Sequence, residues 1–85
     1  MAAIESSLLY LRESMDLYKE HPTCQSILAK IGEGPYTTEE AFVTELSDQE
    51  ISYLNAVLRQ ELRYANQSED RTRFNELNSI YELLY

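Results

Sequence analysis

The chain has 85 residues, a hydrophobic content of 44% and a formal charge of −8, from 15 acids against seven lysines and arginines. That length allows one domain with a core near the minimum that folds without staples, and the apolar content is too high for a disordered acidic tail. A single cysteine, Cys24, and a single histidine, His21, exclude an internal disulfide framework and a zinc site built on thiols or imidazoles within one chain.

In chain order, Ile4, Leu8, Leu11, Met15 and Tyr18 recur at steps of 4, 3, 4 and 3, which predicts a helix from about residue 3 to residue 19 or 20. His21-Pro22 ends it, because proline disfavours helical geometry in the residue before it. Pro22 then suits the first turn of a shorter helix, where its missing N–H is not needed. That helix carries Cys24, Ile27, Leu28 and Ile31 on one face, and Gly32 is its expected left-handed terminator. Beyond "GEGP", Thr37 stands three residues before Glu40 and Ser47 three before Glu50, the spacing of two capping boxes, with Thr38 as a rival cap at the first. The first box opens a short helix holding Ala41, Phe42 and Leu46. The second opens a long one whose apolar stripe is Ile51, Leu54, Leu58, Leu62 and Ala65. Ser68, followed by Glu69 and Asp70, is the expected cap of the last helix, with Phe74, Leu77, Tyr81 and Leu84 facing the core. The reading is all-α: one domain over residues 1–85, a small bundle of about three long and two short helices. Two glycines and two prolines in the whole chain agree with it.

The acidity is spread evenly. Residues 1–44 carry seven acids against Arg12, Lys19 and Lys30, and residues 45–85 carry eight against Arg59, Arg63, Arg71 and Arg73. Such a field repels phosphate backbones and anionic lipid, so neither nucleic acid nor a membrane surface is an expected partner. No apolar run approaches the roughly 20 residues of a membrane span, and "MAAIESSLLYLRESMD" lacks the basic head of a signal peptide. A soluble, cytoplasmic protein is expected, and a lone thiol fits a reducing compartment.

Candidate sites are few. Glu39-Glu40 and Glu69-Asp70 pair carboxylates, but each falls in a predicted first turn, where exposed acids complement the helix dipole. Cys24 and His21 could form a nucleophilic dyad, yet Cys24 lies on an apolar face and no third residue orients the histidine. No catalytic, cofactor or metal residues are expected. "LSDQEISYLNAVLRQ" resembles the first helix of some helix-turn-helix modules, but the short basic recognition helix that should follow is replaced by a continued long helix and an acidic turn. The seven tyrosines are the least expected feature. Tyr53, Val57 and Tyr64 lie beside the main stripe of the long helix at steps of 4 and 7, a possible interface that could bury another helix of the chain or a partner. A homodimer that tightens with added salt is one expectation, since pairing adds burial to a small domain and salt screens repulsion between two acidic chains.

"LLYLRES", "AFVTELSDQEISYLNAVL", "ELRYANQSED" and "ELNSIYELL" together resemble a small Bacillus family, the sigma-G-dependent sporulation-specific acid-soluble spore protein, over nearly the whole chain in the same order. The match is weakest at "KIGEGPYTT". The resemblance implies expression in the forespore, no known enzymatic activity, and no established catalytic or ligand-binding residues. The DNA-coating small acid-soluble spore proteins are a different family, whose glycine-containing motifs are absent here. The expected function is therefore a sporulation-associated protein without catalysis, acting through protein contacts or as a structural component. The alternatives are a small adaptor on a basic surface of a transcription or signalling protein and, remotely, an enzyme using Cys24 or paired acids.

Overall fold

The computed structural model describes residues 5–33, with only the backbone of Glu33, and residues 38–84. Helix α1 spans Ser6–Met15 and runs into a 3₁₀ turn over Asp16–Tyr18; α2 spans Pro22–Glu33, α3 Glu39–Thr44, α4 Asp48–Gln67 and α5 Arg71–Leu83. The all-α class is borne out. The first α-helix is shorter than expected: it tightens at Asp16, a common way to finish a helix, and the His21 amide bonds back to the Tyr18 carbonyl at 3.0 Å. Residues 3 and 4, where that helix was expected to begin, lie outside the described residues.

Burial explains most of the architecture. Leu8, Leu11 and Met15 from α1, Cys24, Ile27 and Ile31 from α2, Phe42 from α3, Leu54, Leu58 and Leu62 from α4, and Leu77 and Ile80 from α5 form one core. Helix α4 packs against α5 and α2, and α1 packs against α5 and α2. Helix α5 is shared by the most neighbours, packing against α1, α3 and α4, while α4 joins α5 to α2. Ala41 is exposed, and Ile80 rather than Tyr81 or Leu84 is the second fully buried anchor of α5.

Two expected helix ends are corrected. Gly32 does not terminate α2, which continues to Glu33, and a side chain at Gly32 would meet open space. A glycine costs a helix about 1 kcal/mol, which the buried face of Cys24, Ile27 and Ile31 outweighs. Ser68 does not cap α5 but closes α4, its amide and hydroxyl both donating to the Tyr64 carbonyl at 3.0 Å. The next two residues complete that closure. Glu69 adopts φ 59°, its amide bonds to Asn66 O, and the Asp70 amide reaches Ala65 O. This is the paired closure usually given to glycine. The start of α5 is pushed on by two residues, and Asp70 caps it by accepting from the Arg73 amide at 3.2 Å.

One cap departs from the expected box and one follows it. Thr38, the rival, caps α3 by accepting from the Ala41 amide at 3.2 Å, so Glu40 is the second residue of the helix and a Thr37–Glu40 box does not open it; Thr37 itself lies outside the described residues. Ser47 and Glu50 form the full reciprocal box: Ser47 Oγ accepts from the Glu50 amide at 3.2 Å and Glu50 Oε1 from the Ser47 amide at 2.8 Å. Ser47→Ala should therefore lower the unfolding free energy by about 1 kcal/mol in a denaturant titration. Ser47→Asp should stay near wild type, because aspartate also caps and suits the dipole. Equal losses would contradict the capping role.

Candidate functional site

Along α4, the residues beside the main stripe meet the 3₁₀ turn and the start of α2. Tyr53, Val57 and Tyr64 share this flank but have three different fates. Val57 is buried in the core. Tyr53 is half-buried, its ring stacked on His21 at 4.5 Å between centroids. Tyr64 is 53% exposed, its hydroxyl accepting from Gln60 Nε2 at 3.1 Å. The extra apolar width of α4 is thus taken up largely by the chain itself.

Between these residues sits Glu61, 3% exposed, accepting a hydrogen bond from the Tyr18 hydroxyl at 3.0 Å. Burial, then the hydrogen bond and negative charge of Glu61, push the Tyr18 phenol up to about 12. Glu61 was not singled out in the sequence. Its signal was there: it stands three residues after Leu58 and four after Val57, so it falls on the buried side of the helix. Leu17, 77% exposed, precedes Tyr18, and Tyr64 is one turn beyond Glu61. Leu17 and Tyr64 are thus exposed apolar side chains close in sequence to the part-buried Tyr18–Glu61 pair.

The raised Tyr18 value has a defined sign. A phenol harder to ionise when folded contributes stability below the unfolded pKa near 10, and that contribution is lost as pH rises towards 12. Burial also pushes the Tyr53 phenol up, so an ultraviolet tyrosinate titration should show ionisation extending beyond the free-tyrosine range, and Tyr18→Phe should remove its latest part. A titration unchanged by the substitution would show that another tyrosine carries it.

Glu50 is the other buried acid among the described residues, 5% exposed. Its carboxylate takes Lys30 Nζ on Oε1, Ser26 Oγ on Oε2 at 2.6 Å, and the Ser47 amide. Burial alone would raise its pKa, but the bonds from Lys30, Ser26 and Ser47 overcome this and hold it at about 2. Helix α2 is clamped to the first turn of α4 by this one group.

Cys24 is fully buried, its Sγ donating to the Met15 carbonyl at 3.2 Å. Burial pushes the thiol up, with Asp16 adding to the effect and a hydrogen bond with Tyr53 opposing it. A thiol with a raised pKa at this depth is a poor nucleophile. His21 is turned to other work, stacking on Tyr53 and accepting from the Thr23 amide at 3.2 Å. The expectation of exposed cap acids fails at Glu39, which is half-buried against α5 and accepts from Ser79 Oγ at 2.5 Å. Burial and the neighbouring Glu5 carboxyl raise the Glu39 pKa, against the Ser79 bond.

Fold and surface together define a small acidic helical protein whose polar residues mainly knit helices to one another. Residues 4–85 match the family described as CsgA, minor curli fiber component A. The chain is 44% identical over 81 residues to the sigma-G-dependent sporulation-specific SASP protein of Bacillus subtilis (strain 168), covering 95% of this chain and 99% of that protein. The chain belongs to this sporulation-specific family, as the four quoted stretches indicated. No solved structure matches it. No helix among the described residues is long and apolar enough to cross a membrane.

Proposed function

We propose that the chain acts in the forespore as a non-catalytic protein working through contacts with other proteins, and that its partner presents a basic surface. The observation that carries the contact reading is the exposure of two large apolar side chains, Leu17 and Tyr64. Apolar anchors within a polar, charged surface are the usual make-up of a transient interface. A net charge of −8 spread over both halves of the chain favours basic partners and speeds encounter with them. The sporulation setting rests on the likeness to the Bacillus subtilis protein. Against catalysis stands Cys24, sealed in the core with its thiol bonded to the backbone.

The name of the matching family speaks of a fibre component. A fibre of stacked strands needs extended segments rich in β-formers, whereas the described residues are almost wholly helix and short turn. Fibre formation is not part of this reading.

Affinity purification of the tagged chain from sporulating and from growing cells tests the proposal. A basic protein should be retained from sporulating cells at low salt and released at high salt. The chain recovered alone under every condition would overturn it. A homodimer is the second reading, favoured by the same exposed Leu17 and Tyr64. It predicts an association in sedimentation experiments that strengthens with salt, the opposite dependence.

A further inference from the structure

Between α1 and α2 runs a groove of about 460 Å³, lined by Leu9, Arg12, Glu13 and Asp16 on one side and by Leu28 and Gly32 on the other. Three of these residues break a local rule. Leu9 is an apolar side chain left 49% exposed. Asp16 closes α1, where a carboxylate meets the negative end of the helix dipole. Gly32 sits inside α2 without a positive φ, and a side chain there would meet open space. Neither backbone conformation nor packing within the chain asks for a glycine at that position, and a glycine weakens a helix. Residues that break local rules together on one surface point to a use for that surface.

Charge selects what fits the groove. Arg73 Nη2 pairs with Glu13 at 3.5 Å, while Arg12 and Asp16 form no ion pair among the described residues. They stand one turn apart on α1, in the order that pairs poorly along a single helix. The groove thus offers one unpaired cation and one unpaired anion, and Arg12 and Arg73 balance Glu13 and Asp16. On a chain of −8 this surface is locally neutral. A basic partner is not drawn to it, whereas a second copy of the chain escapes here the repulsion it meets over an acidic face.

We propose that this groove is the contact surface of a homodimer. A twofold contact makes every cross-pairing twice, so Arg12 of each chain meets Asp16 of the other. Leu9 and the half-buried Leu28 supply apolar area, and Gly32 leaves room for the second backbone to come close. Neither Leu17 nor Tyr64 lines the groove. Self-association therefore has a surface of its own, and it holds with or without a basic partner.

Sedimentation over a concentration series at constant ionic strength tests the surface. The wild-type chain should associate reversibly. Gly32→Gln should weaken association at least about tenfold while folding as well as wild type, because its side chain fills only the groove. Arg12→Asp and Asp16→Arg should each weaken it by a similar factor, since each sets like charges together across the contact. An equimolar mixture of these two variants should recover association as a heterodimer. Arg59→Asp, at an exposed position on α4, changes the net charge as Arg12→Asp does and should associate normally. Circular dichroism checks the fold of each variant, and Gly32→Gln decides if a charge variant does not fold. A wild-type monomer at every concentration would overturn the proposal. Full association of Gly32→Gln, a mixture that stays monomeric, or equal weakening by Arg59→Asp would do the same. Gly32→Gln should still retain a basic partner from sporulating cells; losing it would make the groove that partner's site and not the dimer contact.

Discussion

Leu58→Ala should lower the unfolding free energy by about 2–5 kcal/mol, the range for truncating a buried leucine. Leu58 is wholly buried on α4, the helix that packs against both α2 and α5. A cavity at that junction cannot be closed by moving one neighbour without loosening the other, so the upper part of the range is expected. In a domain this small each kcal/mol moves the melting temperature by about 4–8 °C. Leu54→Ala should behave alike, since Leu54 is equally buried one turn earlier. Leu9→Ala, at a position 49% exposed, should have little effect. Wild-type melting of both variants would mean that the apolar stripe of α4 is not core.

Glu50 should make the protein acid-sensitive well below the usual carboxylate range. Its folded pKa of about 2 lies below the ordinary 4.5. A carboxylate held ionised by the fold contributes stability above the unfolded pKa and loses it as pH falls through the folded one. At about 1.4 kcal/mol per pH unit, this amounts to about 3 kcal/mol between pH 4.5 and 2. Glu50→Gln cannot hold the charge, so its stability should already be lower at neutral pH and should change less over that acid window. Lys30→Met should also be costly, because it leaves a buried carboxylate with only the Ser26 hydroxyl and the Ser47 amide as donors. Parallel acid profiles for wild type and Glu50→Gln would show that the clamp does not govern acid stability.

The helices were legible because their signals are local. The stripe of Leu54, Leu58 and Leu62 announces a buried face by spacing alone, and the Ser47–Glu50 box announces where that helix begins. What misled the reading was competition between local signals. Ser68, Glu69 and Asp70 contain several competent caps, and which one starts α5 depends on how α4 closes. That closure places Glu69 in a left-handed conformation normally left to glycine, and no residue in the stretch advertises it. Gly32 misled for the opposite reason, since packing of its neighbours overrode its own propensity.

The surface was harder to read. Tyr53, Val57 and Tyr64 share a flank by periodicity, but periodicity does not say what lies against a flank. His21 and the 3₁₀ turn arrive there only through the tertiary fold, leaving Tyr64 exposed and Val57 enclosed. The burial of Glu39 was invisible for the same reason. Glu5 and Ser79 are far from Glu39 in sequence, and a glutamate in a first turn looks like an ordinary dipole partner until α5 is packed over it. Glu61 could have been found earlier, as an acid in the register of the core.

The claim that this protein works by contact is tested most directly by photo-crosslinking in sporulating cells. A photoreactive phenylalanine analogue replaces Tyr64 or Leu17, with Asp48 as an exposed control position on the first turn of α4. The account predicts that Tyr64 and Leu17 give the same discrete adduct with another protein, that Asp48 gives none, and that the adduct appears during sporulation. Uncrosslinked chain at all three positions, or an equal smear from each, would contradict it.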